Sequence, residues 1–211
     1  MNLSKLKNII AGKINGKIGS DYTSNGETFR AVISKSQVSY DKPSLEYTLL
    51  AAHDADITSG YLIEGQGDHF VPAKIDKIVV YGGNEQYTRG YLRQANASID
   101  ISTYIDPVNA SKDVWGDPTG VDGTGWGWVI QKTSVWVNFE RMEMRPQNEN
   151  IGQIENAEYL VTIPWSVNAS FTPTPECRLT DRNSKYWKVL DVDDRSFINQ
   201  SYLVRVSTDA R

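Results

Sequence analysis

The 211-residue chain has one cysteine, two histidines and no long apolar run, and each scarcity removes a class of explanation. One cysteine cannot close an internal disulfide, so a small secreted fold stapled by bridges is excluded, as is any zinc cluster built on cysteines. No window reaches the ~18 consecutive apolar residues of a membrane-spanning helix, and no apolar stretch of secretory type follows Met1. The expectation is a protein made in a reducing cytoplasm, where Asn96-Ala97-Ser98, Asn109-Ala110-Ser111 and Asn168-Ala169-Ser170 are idle as glycosylation acceptors. Charge of one sign is also in short supply: 22 Lys and Arg against 26 Asp and Glu give a formal net charge of −4. With 39% hydrophobic residues the chain is too apolar and too weakly charged for disorder. Its length suits one large or two small domains. Lys5, Lys7, Lys13 and Lys17 are the only charges in the first 20 residues, which leaves 18 bases against 26 acids beyond them, net −8. An acidic body behind a small basic head argues against a duplex DNA binder, which needs a basic face to displace counterions from phosphates.

What is present is β-forming. Asn2 can cap a short helix with Leu3, Leu6, Ile9 and Ile10 along one stripe and Gly12 at its end. At about ten residues it is marginal alone and needs its own domain or another subunit to pack on. After Gly19 the period changes to two, with strands expected near Phe29 to Ile33, Gln37 to Tyr40, Tyr47 to Ala51, Tyr61 to Glu64, His69 to Tyr81, Tyr87 to Arg93 and Ala97 to Tyr104. Asn25-Gly26 and Gly82-Gly83-Asn84 supply turn residues that tolerate positive φ, and Asp41-Lys42-Pro43 breaks a strand. Residues 106 to 132 interleave Gly116, Gly120, Gly123, Gly125 and Gly127 with Asp113, Asp117 and Asp122, and carry Trp115, Trp126 and Trp128. So long a stretch without periodicity reads as an insertion or connector whose tryptophans cover their own domain or a neighbour.

A second strand-rich block follows. Val135, Val137 and Phe139 alternate with Trp136, Asn138 and Glu140, and the apolar phase then shifts to Met142 and Met144, which predicts a bulge near Glu140-Arg141. Pro146 to Asn156 reads as a long polar hairpin loop, and strands follow at Tyr159 to Trp165, Cys177 to Thr180, Tyr186 to Val192 and Tyr202 to Val206. The fold expected is all-β: two small antiparallel β-barrel or sandwich domains with a short N-terminal helix and long loops. The divisions are a basic helix or arm at 1–20, a β domain at 21–105, the connector at 106–132 and a second β domain at 133–211. Gly60-Tyr61-Leu62-Ile63 with Tyr91-Leu92-Arg93 in one block parallels Cys177-Arg178-Leu179-Thr180 with Tyr202-Leu203-Val204 in the other, from an old duplication or from convergent alternation.

No chemistry-bearing motif assembles. Gly123-Thr124-Gly125-Trp126-Gly127-Trp128 lacks the Lys-Ser/Thr of a phosphate loop, and a calcium loop begun at Asp117 would have Asp122 where glycine is needed and Trp128 in place of glutamate. His53 and His69, beside Asp54, Asp56 and Asp68, are conceivable metal ligands; hydrogen bonding to neighbouring acids is the plainer reading. There is no Gly-x-Ser-x-Gly elbow, Cys177 reads as a buried inert thiol, and Asp191, Asp193 and Asp194 read as solvated turn acids. The expectation is a protein that is not an enzyme and holds no cofactor.

The order of elements from residue 134 to 206 resembles the head-tail joining, or head closure, proteins of tailed bacteriophages. Ser134-Val135-Trp136-Val137 opens a strand, a polar excursion runs from Glu143 to Asn156, and Tyr159-Leu160-Val161-Thr162-Ile163 leads into a Thr-Pro-rich link. Cys177-Arg178-Leu179-Thr180-Asp181-Arg182, the run from Lys185-Tyr186-Trp187 to Asp193-Asp194, and Tyr202-Leu203-Val204-Arg205-Val206 complete the pattern, which covers about a third of the chain. Where that family commonly has glycine before the Tyr strand, this chain has Arg182-Asn183-Ser184, with Asn183 suited to positive φ. The large N-terminal domain is also a departure.

The resemblance implies a structural virion protein of the phage neck, made in the host cytoplasm. It would form a homo-oligomeric ring, a dodecamer by preference or a hexamer, between the portal or an adaptor above and a tail terminator or tail protein below, enclosing genomic DNA without binding it specifically. A tail terminator, tail adaptor or baseplate component is the alternative. From another class, exposed aromatics on β loops suit a carbohydrate-binding module. The residues expected to make subunit or partner contacts are Leu3, Leu6, Ile9, Trp115, Trp126, Trp128, Gln147 and Asn150.

Overall fold

A computed structural model describes residues 3–35, 47–80, 84–105, 127–142, 157–169, 171–196 and 198–209. An α-helix, α1 (Leu3–Lys13), runs into a π-helical turn, Ile14–Ile18. The helix does not stop at Gly12, as the sequence suggested, because glycine inside a helix costs only about 1 kcal/mol and nothing crowds the position. The stop is Gly19. Its N–H donates to the Ile14 carbonyl at 3.0 Å, and a Cβ there would come within 2.4 Å of that same oxygen. The guanidinium of Arg30 donates to the carbonyls of Asn15 and Gly19, satisfying acceptors left open at the end of the turn.

The first barrel comprises β1 (Ser20–Ser24), β2 (Glu27–Lys35), β3 (Tyr47–Ala52), β4 (Ile63–Gly65), β5 (Asp68–Val80) and β6 (Asn84–Gln94). Period-two alternation puts Tyr22, Phe29, Ala31, Leu49, Ala51, Ile63, Phe70 and Leu92 inside, as a half-buried sheet closed on itself requires. Two hairpins turn on two residues with positive φ, Asn25-Gly26 and Gln66-Gly67, the conformation whose twist matches that of the flanking strands. The second barrel comprises β7 (Ala97–Ile105), β8 (Gly127–Arg141), β9 (Tyr159–Pro164), β10 (Cys177–Asp181), β11 (Tyr186–Asp193) and β12 (Ser201–Thr208), with a 3-10 turn at Trp165–Ala169. The all-β fold of two small closed antiparallel barrels with a short N-terminal helix therefore stands. The expected strand Gln37 to Tyr40 lies outside the described residues.

Both barrels have the same connectivity. Going round either, the strands come in the order first, second, third, sixth, fifth, fourth. The sequence pairs noted between the blocks fall on matching strands, yet Leu92 points inward in β6 while Tyr202 points inward in β12 and Leu203 outward. Connectivity repeats; the pleat phase of the Tyr-Leu pair does not.

Three local expectations are corrected. Residues 97–105, assigned to the first domain, form a strand of the second barrel, and residues 127–132, assigned to the connector, are the start of β8. The boundary is only Ala95-Asn96: Asn96 donates to the Phe139 carbonyl at 2.9 Å, accepts from the Phe139 N–H at 2.7 Å, and gives its own N–H to Val137 at 3.0 Å. A junction that imitates strand pairing needs no Gly/Pro break and shows none in composition. β8 is bulged at Gln131 and again at Thr133-Ser134, where Ser134 has φ +54°, and pairing through Glu140-Arg141 is regular. In the β10–β11 turn the positive-φ residue is Ser184, not Asn183, because the Asp181 carboxylate accepts from the N–H groups of Asn183 and Lys185 and sets the loop's path.

The barrels are locked side by side. Arg93 leaves β6 on its outer face and is buried between β8 and β9, 3.3 Å from Glu140 Oε2 and 3.2 Å from Thr162 Oγ1. Gly60, at φ +81°, meets the second barrel so closely that a Cβ would lie 2.7 Å from both Trp165 Cβ and the Asn199 carbonyl oxygen. Its carbonyl accepts from the Ser166 N–H at 2.9 Å.

Arg93→Ala should cost about 2–4 kcal/mol, toward the low end because the half-exposed Glu140 rehydrates. All six tryptophans lie from residue 115 onward, so tryptophan fluorescence reports the second barrel and its junction with the first, where Trp136 meets His69, and far-ultraviolet circular dichroism reports both barrels. Urea unfolding of the variant should split into two transitions between the probes. Coincident transitions at the unchanged midpoint would show that Arg93 is not the joint.

Candidate functional site

Among the described residues, aromatic side chains meet cations in two clusters that involve the second barrel. The first is the end of the β7–β8 hairpin. β10 follows β7 only as far as Cys177 opposite Thr103, so among the described residues Tyr104 and Ile105 have β8 as their only strand neighbour. Beyond that point the hairpin is a two-stranded ribbon with Trp128 directly across from Tyr104, their rings edge to face at 5.7 Å. Arg178 on β10 lies between two rings, 4.3 Å from the centre of Trp128 and 4.1 Å from that of Tyr186. Such contacts hold a guanidinium flat without removing its charge. A recess of about 490 Å³ opens here, lined by Tyr104, Trp128, Pro175, Glu176, Cys177, Lys188 and Asp209. Val129 and Ile130, opposite Thr103 and Ser102 where β10 still flanks β7, are both exposed, so the stretch of β8 leading into the ribbon also leaves apolar side chains in water.

The second place is the junction. His69 stacks on Trp136 at 4.2 Å and 15°, and its Nε2 is 3.5 Å from Glu64 Oε1. Arg182 sits 4.7 Å over the same indole; with the imidazole covering one face, the guanidinium takes the other. Trp165 stacks on Tyr202 nearby at 4.5 Å, and burial pushes the Tyr202 hydroxyl above its ordinary pKa. Of these contacts the His69–Trp136 stack joins the two barrels.

Of the residues singled out from sequence, Trp128 is placed on the ribbon. Ile9 is exposed on α1, and the helical segment is anchored instead by Ile14, which sequence reasoning missed because it falls past Gly12. The side chains of Leu3 and Leu6 lie outside what the structure describes, as do Trp115, Trp126, Gln147 and Asn150 altogether. His53 and His69 are not brought together. Ala52 pairs with Tyr87 and Phe70 with Gln94, so the histidines sit at opposite ends of β6, on the order of 20 Å apart at about 3.3 Å per residue. Among the described residues no three His, Cys, Asp or Glu side chains converge on a point. Cys177 is buried, with its sulfur accepting from the Thr174 N–H at 3.2 Å.

Tyr104, Arg178 and Tyr186 were not picked out from the sequence. The signal was faint: Arg178 and Tyr186 sit two residues apart in register across a hairpin whose alternation had been read only for its inward face.

Trp128→Ala removes one of the two rings holding Arg178 but no core volume, and should lower stability by about 0.5–1.5 kcal/mol. A loss of about 3–5 kcal/mol in thermal or urea unfolding would put Trp128 in the core. Neither a protein-family model nor a curated protein sequence matches the chain.

Proposed function

We propose that the protein is a structural connector of the tailed-phage neck: a homo-oligomeric ring between the portal or adaptor and the tail, extending the DNA channel and docking the tail. The observation that carries this reading is the β7–β8 ribbon, which projects apolar and aromatic side chains from the double barrel. Segments that project from rigid barrels are natural interlocking devices between subunits, and tryptophan is favoured at the centre of such contacts. The element order from residue 134 to 206 and the net −8 of the body are consistent with a channel through which DNA slides without sticking. A station elsewhere in the tail, as terminator, adaptor or baseplate component, would use the same barrels.

The recess beside Trp128 also suits a sugar. Against that reading, Arg178 already covers one face of the Trp128 ring, which is the surface a stacked pyranose needs. Glycan-array binding lost on Trp128→Ala would revive it.

Quantitative mass spectrometry of density-purified phage particles from the source culture, scaled to the major capsid protein, tests the reading. About twelve copies, or about six, place the chain in an axial ring. Absence from intact particles overturns the connector role. Replacing Trp115, Trp126 and Trp128 together by alanine should abolish assembly and leave the monomer's Tm within a few degrees.

A further inference from the structure

Arg178 is fastened at its faces and open at its edge. The rings of Trp128 and Tyr186 lie 4.3 Å and 4.1 Å from its guanidinium carbon, yet among the described residues no carboxylate, carbonyl or hydroxyl accepts a hydrogen bond from it. Arg30, Arg93 and Arg205, by contrast, each meet an oxygen acceptor within the chain. The Nε of Arg178 is sealed from solvent without a partner, which leaves the terminal Nη pair as the reachable donors. A planar fork held between two rings is pre-organised for a planar anion, because little side-chain freedom remains to be lost when the hydrogen bonds form. The recess of about 490 Å³ lies beside it: Cys177, Lys188 and Trp128 all line that recess, and they are the sequence neighbour of Arg178, its register partner on β11 and one of its two rings.

We propose that Arg178 receives an Asp or Glu carboxylate from a segment of another protein, and that the recess between Tyr104, Trp128 and Pro175 takes the apolar side chain next to that acid. The remaining charges choose this occupant over a nucleic acid. Glu176 and Asp209 line the same recess as Lys188, so a polyphosphate that gains at Arg178 is repelled along the rest of its length. A single carboxylate on an otherwise uncharged segment meets the guanidinium without that penalty. Register extends the surface: Arg178 pairs with Ser102 and Ser102 with Ile130, so Ile130, 53% exposed, adds apolar area on the same outer face of the sheet. Trp, Tyr and Arg are the residue types that carry most binding energy at protein contacts. The site deepens the connector reading, on which the partner's place in the neck rests.

The probes are the peptide acetyl-Gly-Leu-Asp-Gly-amide and its counterpart with Asn in place of Asp. Each is titrated into the full chain while the Trp128 indole and Arg178 side-chain N–H signals are followed by NMR. The acidic peptide should bind with a dissociation constant of about 1 mM, and the Asn peptide at least about tenfold more weakly. Arg178→Gln should abolish both sets of shifts, and Arg178→Lys, which keeps the charge and loses the fork, should weaken binding about tenfold. The comparison of the two peptides is made on the unaltered chain and stands whatever the variants do to stability. Equal binding of the two peptides, or none by either at about 20 mM, overturns the proposal. So does saturation by inorganic phosphate or oligothymidylate at a lower concentration than the acidic peptide requires. Self-association that is lost in Arg178→Gln would give the site to a second copy and overturn the choice of partner. The connector reading is judged separately, by copy number in the particle, and survives each of these outcomes.

Discussion

The placement of the two barrels against each other depends on one buried cation. Arg93 is held by Glu140 and Thr162 across the boundary between the barrels, and a guanidinium out of water is tolerated only while charge and hydrogen bonds surround it. Separating the barrels would strand it or force its rehydration. That penalty is specific, because only the observed side-by-side arrangement brings β6 of one barrel against β8 and β9 of the other. The supporting contacts share this logic. Gly60 admits no Cβ against Trp165, and Asn96 copies the hydrogen bonding of a strand residue along β8. With a joint of two residues, these contacts hold the barrels side by side.

The barrels are alike in connectivity and unlike inside. The second has branched and aromatic residues throughout: Ile99, Ile101, Val137, Val161, Ile163, Leu179, Trp187, Val189 and Tyr202 are all buried. The first includes Ala31 and Ala51 among its inward positions, so it removes less apolar surface from water. Buried polar atoms without a hydrogen-bond partner among the described residues occur in both barrels, at Ser24, Gln86 and Thr88 in the first and at Asn138, Trp187 and Ser201 in the second, so the difference between the barrels lies in the apolar core. The first barrel, with the smaller apolar core, gains from being clamped to the second through Arg93.

The fold was legible where local rules and packing coincide. Alternation placed nearly all the strands, and Asn25-Gly26 named its hairpin, because period two and positive φ are properties of a few adjacent residues. What was missed depended on partners distant in sequence. Nothing near residue 97 announces that the strand beginning there pairs with β8 and β10 rather than with β6, and Asn96 marks the boundary only through contacts made 43 positions away. Gly12 was taken for the helix stop because it comes first, although the steric demand for glycine falls at Gly19. Of the candidate interface, Trp128 could be seen as an aromatic in a polar run. The Arg178 sandwich could not, since it is assembled from three strands.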